Sequence, residues 1–170
     1  MPKVLVLGGA GFIGRHACLA LHQAGVDLVI GSRNPDQIEA RLAPELWGYE
    51  RRQLSVDQLT NPSAWTKPLE GIDVALNCVG ILRQRGSETY QRVHCDAPAA
   101  LATYAEQSNL RFVQVSALGL RDNAKSRFLS SKLLGEQAIQ RTAGDWIIVR
   151  PSLLDGEGGY GAWWLRAVAK

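Results

Sequence analysis

Cysteine, unbroken apolar stretches and surplus charge are all scarce in this 170-residue chain. The three cysteines, Cys18, Cys78 and Cys95, fall into no pairing or metal-ligand spacing, which excludes a disulfide framework and a metal motif. An odd thiol count without an apolar leader points to a reducing compartment, and the expected location is cytoplasmic. No segment approaches the ~20 apolar residues that cross a bilayer, so no transmembrane partner surface is expected. A net charge of +3 is too small to argue for nucleic acid. The pair Arg51-Arg52 and the trio Arg83, Arg85 and Arg92 read as solvated faces. Apolar content is ordinary, and the length suits one domain with a real core.

What the chain does have is glycine in one telling place. The apolar run Val4-Leu5-Val6-Leu7 leads directly into Gly8-Gly9-Ala10-Gly11-Phe12-Ile13-Gly14, followed by a helical pattern. Gly9, Gly11 and Gly14 fit G-x-G-x-x-G, and Gly8 adds an overlapping G-x-x-G-x-x-G. In such a turn one glycine permits a sharp reversal, one lets the backbone approach a pyrophosphate, and one lets the helix pack on the strand. The free N–H groups and positive dipole end of the helix then face the phosphates. A tight turn in an α/β protein would show the same glycines. The flanking strand and helix, and the second apolar run Leu28-Val29-Ile30, favour the phosphate site.

Short apolar runs predict strands over Lys3–Leu7, Leu28–Ser32, Arg52–Val56, Val74–Val79, Arg111–Ser116 and Trp146–Val149. Helices are predicted over Ile13–Gln23, Asp36–Leu42, Pro62–Leu69, Ser87–Gln107 and Ser126–Arg141. On the first of these, Ile13, Ala17, Ala20, Leu21 and Ala24 recur at helical spacing and would face the sheet. Pro98 predicts a kink or restart near Asp96. The alternation predicts an α/β fold, a doubly wound parallel Rossmann sheet with helices on both faces. Residues 1–152 read as its dinucleotide-binding domain, and residues 153–170 as the start of a substrate-side region that is mostly absent. The glycine-rich stretch Gly156–Gly161 and the helical pattern with Trp163 and Trp164 belong to that end. Either a terminal helix docks one tryptophan on the core, or the chain is a fragment of something longer.

The tip of the second strand, Gly31-Ser32-Arg33-Asn34-Pro35, carries no acid to hold a ribose 2′-hydroxyl. Ser32 can donate a hydrogen bond, and Arg33 can fork onto a 2′-phosphate. NADP(H) is therefore favoured, with NAD(H) possible, although Arg33 in a solvated turn would look the same. Asp57 is placed to accept from the adenine amino group, or to act as a turn acid.

With these segments in view, the chain resembles an extended or atypical short-chain dehydrogenase/reductase over essentially its whole length. The resemblance rests on the glycine turn, Ser32-Arg33-Asn34-Pro35, Val56-Asp57-Gln58-Leu59, Asn77-Cys78-Val79-Gly80, Val115-Ser116-Ala117, Ser131-Lys132 and Arg150-Pro151-Ser152. The runs Asn77–Leu82, Val93-His94 and Val115–Gly119 are most similar to the branch containing the 39-kilodalton complex I subunit and NmrA-like NAD(P)H-binding proteins. The resemblance implies cofactor contacts from Gly8, Gly11, Phe12, Ile13, Gly14, Ser32, Arg33, Asp57, Cys78, Val79, Gly80, Lys132 and Pro151. It also implies a catalytic Ser, Tyr and Lys, the last two as Tyr-x-x-x-Lys. Ser116 matches the serine and Lys132 the lysine, but Phe128 stands at the tyrosine position and has no proton to give. His94 matches the fourth family position. It either substitutes as an acid or makes a structural hydrogen bond.

Two functions stay open on these residues. One is an NAD(P)H-binding sensor or accessory subunit with weak or no turnover. The other is an NADPH-dependent oxidoreductase, or nucleotide-sugar epimerase-like enzyme, with a non-tyrosine proton donor. The further partner is an unidentified small molecule or protein. A nucleotide-free interaction domain would leave the entropic cost of the glycines unexplained.

Overall fold

The computed structural model describes residues 1–156, Gly159 and Ala167, and the predicted C-terminal helix with Trp163 and Trp164 lies outside the described residues. Six strands are β1 (Lys3–Leu7), β2 (Asp27–Ser32), β3 (Glu50–Gln53), β4 (Val74–Asn77), β5 (Arg111–Val115) and β6 (Trp146–Val149). They form one all-parallel sheet in the order β3-β2-β1-β4-β5-β6. Among residues 1–156 the α-helices are α1 (Phe12–Gln23), α2 (Ala97–Ser108) and α3 (Arg127–Gln140). The doubly wound Rossmann sheet expected from the sequence is thus present.

Central strand β1 shows why the fold closes. Leu5 and Leu7 point into one core with Ala97, Leu101 and Phe112, while Val4 and Val6 point into the other with Cys18 and Ile30. A parallel strand buried on both faces needs apolar residues at every position, which is what Val4-Leu5-Val6-Leu7 supplies. Strand order reverses between β1 and β4, the place where an open α/β sheet offers a crevice at its carboxyl edge.

The structure departs from the predicted elements in informative places. The third strand covers Glu50–Gln53 rather than Arg52–Val56. Its charged residues suit an edge strand, where Arg52 pairs with Glu50 and Arg51 with Glu39. Leu54 and Val56 follow the strand and turn into the core. The helix predicted over Asp36–Leu42 is two 3₁₀ turns, Pro35–Gln37 and Glu39–Arg41. Ile38 and Leu42 are buried at helical spacing without an α-helix between them. Likewise Pro62–Leu69 holds only a 3₁₀ turn, Pro62–Trp65, because Pro68 cannot extend it. On α1 the inner face carries Gly14 and Cys18, whereas Ala20 and Ala24 are exposed. The long fourth helix begins as a π-helical segment, Gln91–Asp96, and becomes α2 at Ala97, so the predicted restart near Asp96 holds.

Candidate dinucleotide site

The glycine turn closes on itself through backbone contacts. Gly8 and Gly9 N–H groups both donate to the Gly31 carbonyl, at 3.0 and 3.1 Å, and Gly11 N–H donates to Gly8 O at 2.8 Å. Gly8 has φ +73°, a conformation that favours glycine. A Cβ on Gly14 would lie 2.1 Å from Gly8 O, so α1 sits against the turn with no room for any side chain. No side chain caps α1, and its first turn holds no acid. The first amides of α1 have no partner within the helix, and Phe12 and Ile13 line the crevice, where an anion would find donors and the positive dipole end.

The crevice has two lobes sharing Gly11, Arg41, Cys78, Val79 and Gly80. The smaller lobe, about 190 Å³, is lined by Gly8, Ser32, Arg33, Asp57 and Glu88. The larger, about 750 Å³, is lined by Phe12, Ile13, Ser116, Phe128, Lys132 and Pro151. All the cofactor residues inferred from sequence apart from Gly14 thus line one continuous groove, with Gly14 packed directly beneath it.

Within the small lobe two details differ from expectation. Asp57 lies in a 3₁₀ turn beyond β3, only 3% exposed, rather than at a strand end. Arg33 is not a free solvated cation, because its Nη1 donates to Glu88 Oε1 at 2.5 Å. Sequence reasoning missed Glu88, which comes from a loop fifty-five positions away. It also missed Arg41, because the turn that carries it is read as helix.

The large lobe is built by three segments pressed together. A Cβ on Gly135 would lie 1.8 Å from His94 O, so α3 lies directly on the π-helical segment. That approach sets Ser131 beside His94 and Lys132 beside Gly80. The extra residue of a π-helical turn re-aims side chains, and such turns recur at functional sites. Ile81 N–H donates to His94 Nε2 at 3.1 Å, so Nδ1 carries the proton and donates to Ser131 Oγ at 2.9 Å. Ser131 Oγ in turn donates to Phe128 O at 2.8 Å. Both ring nitrogens are committed to bracing the Gly80-Ile81 backbone against α3.

Of the two roles open to His94, the surroundings favour the structural hydrogen bond over the acid. Burial, and then the nearby Lys132 charge, push its pKa from 6.5 down to about 3. Between those values the folded state binds fewer protons than the unfolded chain. His94 therefore stabilises the fold fully above pH 6.5, and that contribution is lost as pH falls toward about 3. Urea unfolding across this range should show a loss on the order of 2–3 kcal/mol by about pH 4. His94→Gln should flatten that slope, and an unchanged slope would disprove the assignment.

Lys132 is held with its Nζ 5.7 Å from the Phe128 ring centroid. Burial lowers its pKa, opposed by the charge of Glu136 one turn further along α3. Glu136 is itself fully buried and bound by the Arg150 guanidinium through Nε at 3.1 and 3.0 Å and through Nη2. Ser116 Oγ is buried and has no hydrogen-bond partner among the described residues. A buried hydroxyl without a partner is uncommon, and a ligand in the adjoining lobe would satisfy it. The cradle with no space for a Cβ, the uncapped amides and this hydroxyl together fit a dinucleotide. Cys78, implied as a cofactor contact, lies at the crevice with its thiol pushed up to about 12 by burial, so it is inert.

The fold and this groove define a Rossmann-type dinucleotide-binding domain. The sequence profile described as NAD(P)H-binding matches residues 8–163, and the chain belongs to that NAD(P)H-binding family. It is 30% identical over 156 residues to a ceramide reductase of Caulobacter vibrioides, covering 91% of this chain and 47% of that protein. It is 27% identical over 154 residues to the mitochondrial NADH dehydrogenase [ubiquinone] 1 alpha subcomplex subunit 9 of Rattus norvegicus, covering 89% and 40%. The chain thus spans about half the length of these relatives or less. Among solved structures it is similar to the Bordetella bronchiseptica enzyme WbmH in complex with NAD+, with TM-score 0.74, 17% identity and coverage of 94% and 58%. A UDP-galactose 4-epimerase gives TM-score 0.64 at 19% identity, covering 87% and 55%. These two likenesses concern the fold alone. Among the described residues no helix is long and apolar enough to cross a membrane.

Proposed function

We propose that this chain binds NAD(P)H as a cofactor-holding sensor or accessory subunit, with weak or no turnover. The observation that carries the proposal is the Phe128 ring lying against Lys132, where the resemblance calls for a phenol. His94 offers no replacement, being bonded at both ring nitrogens and neutral through the physiological range. When bound, a nicotinamide cofactor supplies hydride. The chain's own groups supply amides for the pyrophosphate, the Lys132 ammonium and the Ser116 hydroxyl, but no phenolic proton.

A second reading is an NADPH-dependent oxidoreductase with a non-tyrosine donor. It is favoured by the orphaned Ser116 hydroxyl and by the lowered pKa of Lys132. A relative named as a reductase supports the same reading. Residues 1–152 serve as the dinucleotide domain, and residues from 153 begin the substrate side. There Leu82, Phe128, Leu153 and Leu154 line the mouth that a small molecule or a protein partner would meet. The three free cysteines suit a reducing, cytoplasmic setting.

Within the dinucleotide reading, NADP(H) is favoured, because Ser32 and Arg33 face the adenosine lobe. Arg33→Ala should weaken NADPH by ~1.5 kcal/mol and leave NADH nearly unchanged. That is the low end for a charged hydrogen bond, since the guanidinium must leave Glu88 to reach a phosphate. Cofactor fluorescence titration measures both affinities. Equal losses for the two cofactors would remove Arg33 from the 2′-phosphate, and no binding of either would sink the functional reading.

A further inference from the structure

We propose that Glu88 is a specificity-determining residue of the groove. Its carboxylate neutralises Arg33 and disfavours a 2′-phosphate, so that NADH is accepted beside NADPH. The inference rests on the dinucleotide reading above and concerns its adenosine lobe.

Glu88 is delivered there by a folded loop rather than a swinging side chain. Its N–H donates to Arg85 O at 2.9 Å, and Arg85 N–H donates back to Glu88 O at 3.1 Å. Gly86, at φ +54°, allows the tight turn between them. The loop is tied at its end by Tyr90, whose N–H donates to Gln84 Oε1 at 2.9 Å and whose hydroxyl donates to Leu82 O at 2.7 Å.

The two partners differ in freedom. The Glu88 side chain is 24% exposed and the Arg33 side chain 62% exposed. The carboxylate is therefore the fixed half of the pair and the guanidinium the half that moves. An exposed ion pair is weak, so Arg33 can turn toward a 2′-phosphate at little cost. Glu88 would then stand as an uncompensated negative charge beside a doubly charged group. A ribose 2′-hydroxyl meets the same carboxylate as a hydrogen-bond acceptor. The acid missing from the β2 tip is thus supplied from another part of the chain, and the two charges oppose each other over one ligand position.

The test is titration of NADPH and NADH by cofactor fluorescence against the wild type, Glu88→Gln, Glu88→Lys, Arg33→Ala and the Arg33→Ala/Glu88→Gln double variant. Circular dichroism checks folding of each protein. Glu88→Gln should tighten NADPH about tenfold and leave NADH unchanged or about threefold weaker. Glu88→Lys should tighten NADPH further, which keeps the series decisive if one variant folds poorly. In the Arg33→Ala background Glu88→Gln should still tighten NADPH by at least as much, because the carboxylate there faces the phosphate with no guanidinium to offset it. Equal effects on both cofactors, or no effect in either Glu88 variant, overturn the proposal. Folded proteins that bind neither cofactor overturn the dinucleotide reading itself, and this inference with it.

Discussion

Gly14→Ala is expected to destabilise the protein by about 4 kcal/mol or more and to abolish dinucleotide binding. Overpacking usually costs ~1–3 kcal/mol, because side chains shift to accommodate the new atoms. Here the added methyl would stand 2.1 Å from the Gly8 carbonyl oxygen and 2.8 Å from Gly9 Cα. Both are backbone atoms of a turn already fixed by hydrogen bonds to Gly31 and within itself. Relief requires α1 to move away from the sheet, which opens the core around Cys18 and Ile30 and displaces the amides that face the crevice. Gly11→Val provides the contrast. A Cβ there meets only Gly8 O, at 3.1 Å, and the residue is exposed with an ordinary negative φ of −76°. That variant should keep its fold by circular dichroism and urea unfolding but lose NADPH, because the branched side chain fills the place of the pyrophosphate. If Gly14→Ala unfolds like wild type, the close helix–turn contact is not what holds the site.

Phe128→Tyr is expected to raise carbonyl reduction by about 10²-fold, the lower part of the ~10²–10⁴ range for a positioned general acid. Phe128 and Lys132 are one turn apart on α3 and share a face, with the ammonium already over the ring. A hydroxyl at that ring would add the missing phenol near Lys132, whose positive charge favours the phenolate. The orphaned Ser116 hydroxyl lines the same lobe. The measurement is NADPH oxidation with a panel of small aldehydes and ketones, using the longest available form of the protein. Wild type should bind the cofactor and turn over at the detection limit. Robust wild-type turnover that survives His94→Ala would refute the reading that the missing phenol limits the chemistry.

Both expectations depend on residues whose roles are legible in the sequence, and the reason is local geometry. A glycine turn between an apolar strand and a helix is specified by contacts within about one supersecondary unit. Gly8, Gly11 and Gly14, the edges of β1 and α1, and the Phe128–Lys132 spacing are therefore readable from sequence. The parallel sheet follows from the same logic, since apolar runs at every position demand cover on both faces. Spacing misleads where apolar residues at helical intervals are carried by turns. Ile38 with Leu42, and Trp65 with Leu69, are buried at helical intervals, yet a 3₁₀ turn joins the first pair and a plain turn containing Pro68 the second.

By itself the sequence determined the dinucleotide-type turn, the Rossmann alternation and the absence of a tyrosine at position 128. Only the tertiary structure decided the electrostatics. Glu88 reaches Arg33 across fifty-five positions, Arg150 satisfies Glu136, and His94 loses its basicity between Ile81 and Ser131. Such effects depend on distance and burial between segments remote in the chain, and a string of residues carries neither. Gly135 shows the limit most plainly. As a lone helical glycine it has no local meaning, and its role appears only when the His94 carbonyl lies where its side chain would have been.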